Sequence, residues 1–194
     1  MLAKKNTAAS KRTSKTSKPG DMSVEEWQIA LRREFGREQN FRWKNIGSDP
    51  IFSEFIVRNP ASGGEYRVAI RGRHAGDNYC SCPDFTGNTL GTCKHIEFVL
   101  AKLEKKRGGL KTLECGFSAP YSEVFLRYGA KREVMFRPGT ECPAAMRKAA
   151  SSFFDASGVL RSEKLMGFDE LLKVLHGNGH EVRCYDDVLE FVAH

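Results

Sequence analysis

The chain has 194 residues, of which 40% are hydrophobic and 28% charged. These values are ordinary for a soluble globular protein and allow one or two small domains. No apolar run approaches the roughly 20 residues of a membrane span, and no apolar segment follows the N-terminal lysines as in a secretory signal. We therefore expect a cytoplasmic protein without a membrane partner. Six cysteines in such a chain favour metal ligands or buried thiols over disulfides.

The net charge of +7 is concentrated at the N-terminus. Residues 1–21 are rich in Lys, Ser, Thr and Ala and nearly free of apolar side chains, so we predict a disordered basic arm. Such an arm either contacts nucleic-acid phosphates or serves only as a solubilising tail, and its composition does not separate the two. Its basic residues are Lys4, Lys5, Lys11, Arg12, Lys15 and Lys18.

The first predicted element is a helix that begins at Ser23. Ser23 and Glu26 have the S-x-x-E spacing of a capping box, apolar residues follow at helical spacing, and Gly36 is expected to end the helix. Three strands follow, and the turn residues at 60–64 predict a hairpin between the last two. The alternating side chains of these strands are Phe41 and Trp43, then Phe55 and Val57, then Tyr66, Val68 and Ile70.

Residues 79–85 predict a short strand that runs into a turn at Pro83. After a loop rich in Gly, Thr and Asn, apolar spacing predicts a helix over 92–107, which Gly108 helps to end. The region 22–110 is therefore interpreted as one domain that contains a β-hairpin, a loop and a helix in sequence.

Residues 111–194 predict a second small α+β unit. Two alternating runs predict another pair of strands, and Pro143 suits the first turn of a helix. A helix around 168–175, a strand and a final short helix capped by Asp186 complete the unit. Because the final helix runs into the C-terminus, we expect that the chain was cut from a longer protein. The fold class predicted for the whole chain is α+β.

The strongest motif is Cys80-x-Cys82, then ten residues, then Cys93-x-His95. Side chains two apart in a strand share a face, so the first pair can reach one ion. The second pair lies at the start of the predicted helix, where free N–H groups and the helix dipole favour thiolate. Three thiolates and one imidazole form the closed ligand set of structural zinc, which leaves no position for water or substrate. We therefore predict a structural zinc site.

The segments CSCPDF (80–85) and CKHI (93–96) resemble the SWIM zinc finger, whose signature is C-x-C-x(n)-C-x-H in a ββα setting. The resemblance covers about residues 66–107. The flanking regions are similar to the N-terminal accessory part of bacterial Swi/Snf-type helicase-like ATPases, through LRYG (126–129) and FRPG (136–139). The resemblance implies DNA or protein binding in chromatin-like or DNA-processing contexts.

The chain differs from those helicases because it has no motor. A P-loop needs G-x-x-x-x-G-K-[ST], and no Gly-Lys dipeptide occurs in the sequence. We therefore expect no enzyme activity and no small-molecule substrate. The preferred hypothesis is a zinc-binding module that mediates DNA and/or protein interaction as an accessory of a DNA-acting, helicase-like machine. The alternatives are the N-terminal fragment of a Swi/Snf-type helicase whose ATPase is not in this chain, and a purely protein-binding adaptor.

A second basic cluster lies at the end of the predicted finger helix. Its side chains can contact phosphates, or they can simply complement the C-terminal end of the helix dipole. Its members are Lys102, Lys105, Lys106 and Arg107.

A second metal site could be suggested by His176, His180 and Cys184. Two glycines between the histidines interrupt the helix that would align them. We therefore expect a turn and a core cysteine here.

Overall fold

The structure is a computed structural model that describes residues 13–177 and 179–193. These residues form helices and two β-sheets, which confirms the predicted α+β class. Helices of the described part of the chain lack the combined length and apolar character needed to cross a bilayer.

Helix α1 (Val24–Glu38) begins at the predicted capping box. The N–H of Glu26 donates to the Ser23 hydroxyl at 3.1 Å, and the N–H of Ser23 donates to the Glu26 carboxylate at 2.7 Å. The prediction that Gly36 ends this helix is wrong, because Gly36 is buried within it. A Cβ there would lie 2.7 Å from a backbone carbonyl oxygen of helix α3 (Lys94–Glu104). Gly36 is therefore required for the close packing of α1 on α3.

The predicted basic arm falls largely outside the described residues, and Lys4, Lys5, Lys11 and Arg12 are among those that are not described. Its described part, 13–21, contains no helix or strand and lies along α1. The backbone N–H of Thr13 donates to the Glu34 carboxylate at 2.9 Å, and the indole N–H of Trp27 donates to the Ser14 carbonyl at 2.8 Å.

The first sheet has four antiparallel strands in the order β1 (Arg42–Asn45), β2 (Glu54–Arg58), β3 (Glu65–Ala69) and β4 (Tyr79–Cys80). The predicted hairpin between β2 and β3 is confirmed. Apolar alternation gives the sheet one buried face, and α3 packs against it. Side chains of this core include Phe55, Val57, Val68, Ile96, Phe98, Val99 and Leu103.

Two short helices that the sequence did not predict lie on either side of α3. Pro83 does not form a simple turn but starts helix α2 (Pro83–Gly87), since proline suits the first helical position. Helix α3 ends at Glu104 rather than near residue 107, and helix α4 (Gly109–Cys115) follows it. Gly108 joins the two with a φ of 76°, a conformation that glycine adopts without strain.

The second sheet has the order β6-β5-β7 and is covered by helices. Strands β5 (Ser122–Arg127) and β6 (Glu133–Arg137) form the predicted antiparallel pair, and β7 (Val182–Cys184) pairs with β5 in parallel. The helices of this unit are α5 (Ala144–Ala150), a 3-10 helix (Ser162–Gly167), α6 (Phe168–His176) and α7 (Asp186–Val192). Asp186 is the first residue of α7 and Tyr185 is its N-cap, so the predicted cap is off by one residue. Pro143 is likewise the N-cap of α5.

Tyr128 joins the two units, because its ring packs against both hydrophobic cores. Its N–H donates to the carbonyl oxygen of Gly76 at 2.8 Å, and its ring centroid lies 4.6 Å from that of Phe85. A buried ion pair, Arg71 with Asp187 at 2.8 Å, crosses the same boundary. The second unit therefore supports the loops that surround the metal-binding residues.

Candidate metal centre

The structure brings the four predicted metal ligands together, with their ligand atoms all within 4.8 Å of one another. These residues are Cys80, Cys82, Cys93 and His95. The sulfur atoms of Cys80 and Cys93 are 3.9 and 4.0 Å from Nδ1 of His95. A zinc tetrahedron with metal–sulfur bonds of about 2.3 Å has edges of roughly 3.8 Å. The four side chains are at most 2% exposed, and none of the cysteines forms a disulfide. This donor set is positioned to bind zinc.

The end of β4 and the start of α2 bring the first pair of ligands together. Cys80 ends β4, as predicted, but Cys82 does not lie in a strand. The expectation that both share one strand face is therefore wrong. Cys82 is the N-cap of α2, and its sulfur accepts a hydrogen bond of 3.4 Å from the N–H of Phe85. The helix start thus supplies a donor that favours the thiolate of Cys82.

The second pair of ligands lies at the start of α3, as predicted. Cys93 is the N-cap residue and His95 is the second residue of the helix. The positive end of the helix dipole is therefore directed at the metal position, where it stabilises negative charge on sulfur.

Hydrogen bonds and burial separate the pKa values of the three thiols. Hydrogen bonds from Cys80 and Cys93 lower the pKa of Cys82. The hydrogen bond with Cys82 raises the pKa of Cys80, and burial raises the pKa of Cys93. Three thiolates so close together and so deeply buried can coexist only beside a cation. Zinc would supply that positive charge and be held by the three sulfurs and Nδ1 of His95.

The imidazole of His95 is held by aromatic packing. Its ring centroid lies 5.1 Å from that of Phe41 and 4.7 Å from that of Tyr66. Its Nε2 atom is buried and has no hydrogen-bond partner within the described residues. The usual polar partner of a metal-bound histidine is therefore replaced here by two rings that fix the orientation of the imidazole.

Helix α1 contacts α2 and α3, whose N-caps are the ligands Cys82 and Cys93, through ion pairs that the sequence did not reveal. Arg33 contacts Glu97 at 3.2 Å, and this buried carboxylate also accepts a hydrogen bond of 2.9 Å from the hydroxyl of Thr92. Arg32 contacts Asp84 of α2 at 2.8 Å. The partners are separated by more than 50 positions in the sequence, so no local pattern could have identified them.

Two members of the basic cluster at the end of α3 lie close to aromatic rings. The Nζ atoms of Lys102 and Lys106 each lie 5.2 Å from an aromatic ring centroid, that of Phe98 and that of Trp43 respectively. Lys102 is half-buried, whereas Lys105, Lys106 and Arg107 are exposed. In the described part of the arm, Lys15 is exposed, and Lys18 donates to the carbonyl oxygens of Pro19 and Met22.

The structure does not gather His176, His180 and Cys184 into a metal site. His180 Nε2 lies 3.0 Å from the hydroxyl oxygen of Ser122, and burial raises the pKa of Cys184 to about 11. Among the residues that the structure describes, the Cys80 cluster is the one group of three or more side chains with metal-binding spacing.

Residues 66–104 match the model of the SWIM zinc finger family. The matched segment runs from β3 to the end of α3 and contains all four ligand residues. No curated protein and no solved structure matches the chain. The chain therefore contains a SWIM zinc-binding domain, and the candidate metal centre is the site of that domain.

Proposed function

We propose that the chain is a zinc-dependent interaction module that binds DNA and/or a partner protein as an accessory of a DNA-acting, helicase-like machine in the cytoplasm. The observation that carries the proposal is the closed and buried ligand set of the SWIM domain. Four protein ligands fill a tetrahedral zinc ion, so no position remains for water or substrate. The metal would then have a structural role and would stabilise the fold of a binding surface.

Two further hypotheses remain as outcomes of the tests. In one, the chain is the N-terminal fragment of a Swi/Snf-type helicase, and a Gly-Lys-Thr motif encoded directly downstream would identify it. In the other, the chain is a purely protein-binding adaptor, and it shows no salt-dependent binding to DNA.

We expect DNA binding to depend mostly on the N-terminal arm, because residues 1–20 carry six basic side chains and no acid. If all six reach phosphates of a duplex, the slope of log affinity against log salt approaches about −5. A chain that begins at Asp21 should lose most of the affinity. The measurement is a titration of both chains against one duplex at two salt concentrations.

A matched variant separates charge from structure in that experiment. The truncation also removes the contacts of Thr13 and Ser14 with α1. A full-length chain with the six arm cations changed to glutamine keeps those contacts and should bind as weakly as the truncated chain. If the truncated chain binds as tightly as the full one, the arm is only a solubilising tail.

We also expect no ATP hydrolysis, with or without DNA, because the sequence has no P-loop to bind the phosphates. Phosphate release by the purified chain should equal that of a buffer control. Turnover that persists through further purification and follows this chain would contradict the proposal of a non-enzymatic module.

A further inference from the structure

The solvent-facing side of the first sheet carries a group of cations that the zinc site does not use. Alternation along β1 places Trp43 on the core side, with its ring 5.4 Å from that of Phe55. Arg42 and Lys44 therefore lie on the opposite side, together with Arg58 of β2. All three are exposed. We call these three residues the sheet cations.

The sheet cations are arranged in a way that costs stability. Arg42 and Arg58 are directly opposite each other in the β1–β2 register, and like charges in this position repel. Within the described residues, none of the three forms an ion pair, although Glu65 is opposite Arg58 on β3. Arg67, the next cation on this side, differs from them because it forms ion pairs with Glu54 at 2.7 Å and with Asp186 at 3.4 Å.

Protection of the open edge of β1 explains only part of this arrangement. Charged side chains on an edge strand discourage pairing with other chains, and Arg42 and Lys44 can serve that purpose. Arg58 lies on β2, which is paired on both sides, so it protects no edge. A repulsive pair that the fold does not need points instead to an external anion that relieves the repulsion.

We propose that the sheet cations bind the phosphate backbone of DNA. The inference rests on the proposed function and assigns part of its DNA binding to a surface of the folded domain. Two of the three residues are arginines, whose planar fork matches phosphate oxygens. On this side, β1 and β2 carry no aromatic residue on which a base could stack. The contact is therefore to the backbone and independent of base sequence.

The test compares two full-length variants that lose the same charge. The sheet variant is Arg42→Gln, Lys44→Gln and Arg58→Gln. The control variant is Lys131→Gln, Lys148→Gln and Lys173→Gln, which removes three exposed cations of the second unit that form no ion pair within the described residues. Each chain is titrated with one duplex at about 50 mM and about 200 mM salt, and its zinc content is measured.

The sheet variant is expected to bind at least about tenfold more weakly at the lower salt, with a salt slope smaller by about 0.9 for each lost contact. The control variant should stay within about threefold of the unaltered chain, since distant charges are screened. The thermal midpoint of the sheet variant should equal or exceed that of the unaltered chain, because the Arg42–Arg58 repulsion is gone.

Three results would overturn the inference. If both variants bind alike while the unaltered chain binds DNA, the sheet cations are not a DNA surface, but the proposed function stands. If the unaltered chain does not bind the duplex, DNA binding itself fails and the inference fails with it. If the sheet variant loses binding to polyglutamate as strongly as to DNA, the surface docks acidic proteins instead.

Discussion

Replacing Cys93 with serine is expected to unfold the region from about 66 to 107 and to abolish zinc binding. Serine supplies no thiolate, so the site loses one of its four ligands. Structural zinc contributes an apparent ~10–16 kcal/mol to small zinc domains, which is comparable to the whole stability of a typical domain, about 5–15 kcal/mol. Loss of this contribution leaves α3 and the loops around it without their main constraint.

The effect should extend to α1, although α1 has its own capping box. Gly36 packs directly on α3, and Arg33 contacts Glu97 there. Circular dichroism should therefore show a loss of helix beyond α3, and metal analysis should fall from one zinc per chain to nearly none. The matched control is Cys115→Ser, because Cys115 is free, exposed and outside the ligand cluster. Less than half an equivalent of zinc in the freshly purified, unaltered chain would contradict the assignment.

The sequence was sufficient for those parts of the fold whose causes are local. The capping box of α1, the β2–β3 hairpin and the four metal ligands each depend on residues within one short stretch of the sequence. The paired spacing of Cys80 with Cys82 and of Cys93 with His95 identified the donor set. It did not identify how Cys82 is positioned. The sequence predicted a strand that ends in a turn at Pro83, whereas Pro83 starts a helix and Cys82 is the N-cap of that helix.

The remaining features depend on contacts between distant segments. In the sequence, Gly36 is typical of a residue that ends a helix. Only the close approach of α3 explains why a glycine lies inside this helix. The parallel pairing of β5 with β7 brings together strands that are separated by β6, α5, a 3-10 helix and α6, so no local turn motif predicts it. The buried pair of Arg71 and Asp187 joins residues 116 positions apart. Single-sequence patterns carry no information about such pairings.

The Arg71–Asp187 pair is the centre of a buried network that fixes the second unit on the finger. The two guanidinium–carboxylate hydrogen bonds measure 2.9 and 2.8 Å, and Asp187 also accepts a bond of 2.6 Å from the hydroxyl of Tyr128. Burial alone would raise the pKa of Asp187, but Arg71 holds this pKa below its ordinary value. The Arg71 guanidinium also lies 4.1 Å from the ring centroid of Tyr185. Both ionic partners are thus charged and removed from water.

Asp187→Ala is therefore expected to destabilise the zinc-loaded chain by about 3–5 kcal/mol, because it leaves the Arg71 charge buried without a counter-ion. Asp186→Ala is the matched control. The side chain of Asp186 is 73% exposed and contacts Arg67 at 3.4 Å, so its loss should cost less than about 1 kcal/mol. Urea unfolding of both variants measures the difference. In a third variant, Arg71→Met with Asp187→Leu, the buried charges are removed together and most of the stability should return. Equal destabilisation by the two single substitutions would show that the buried pair does not hold the units together.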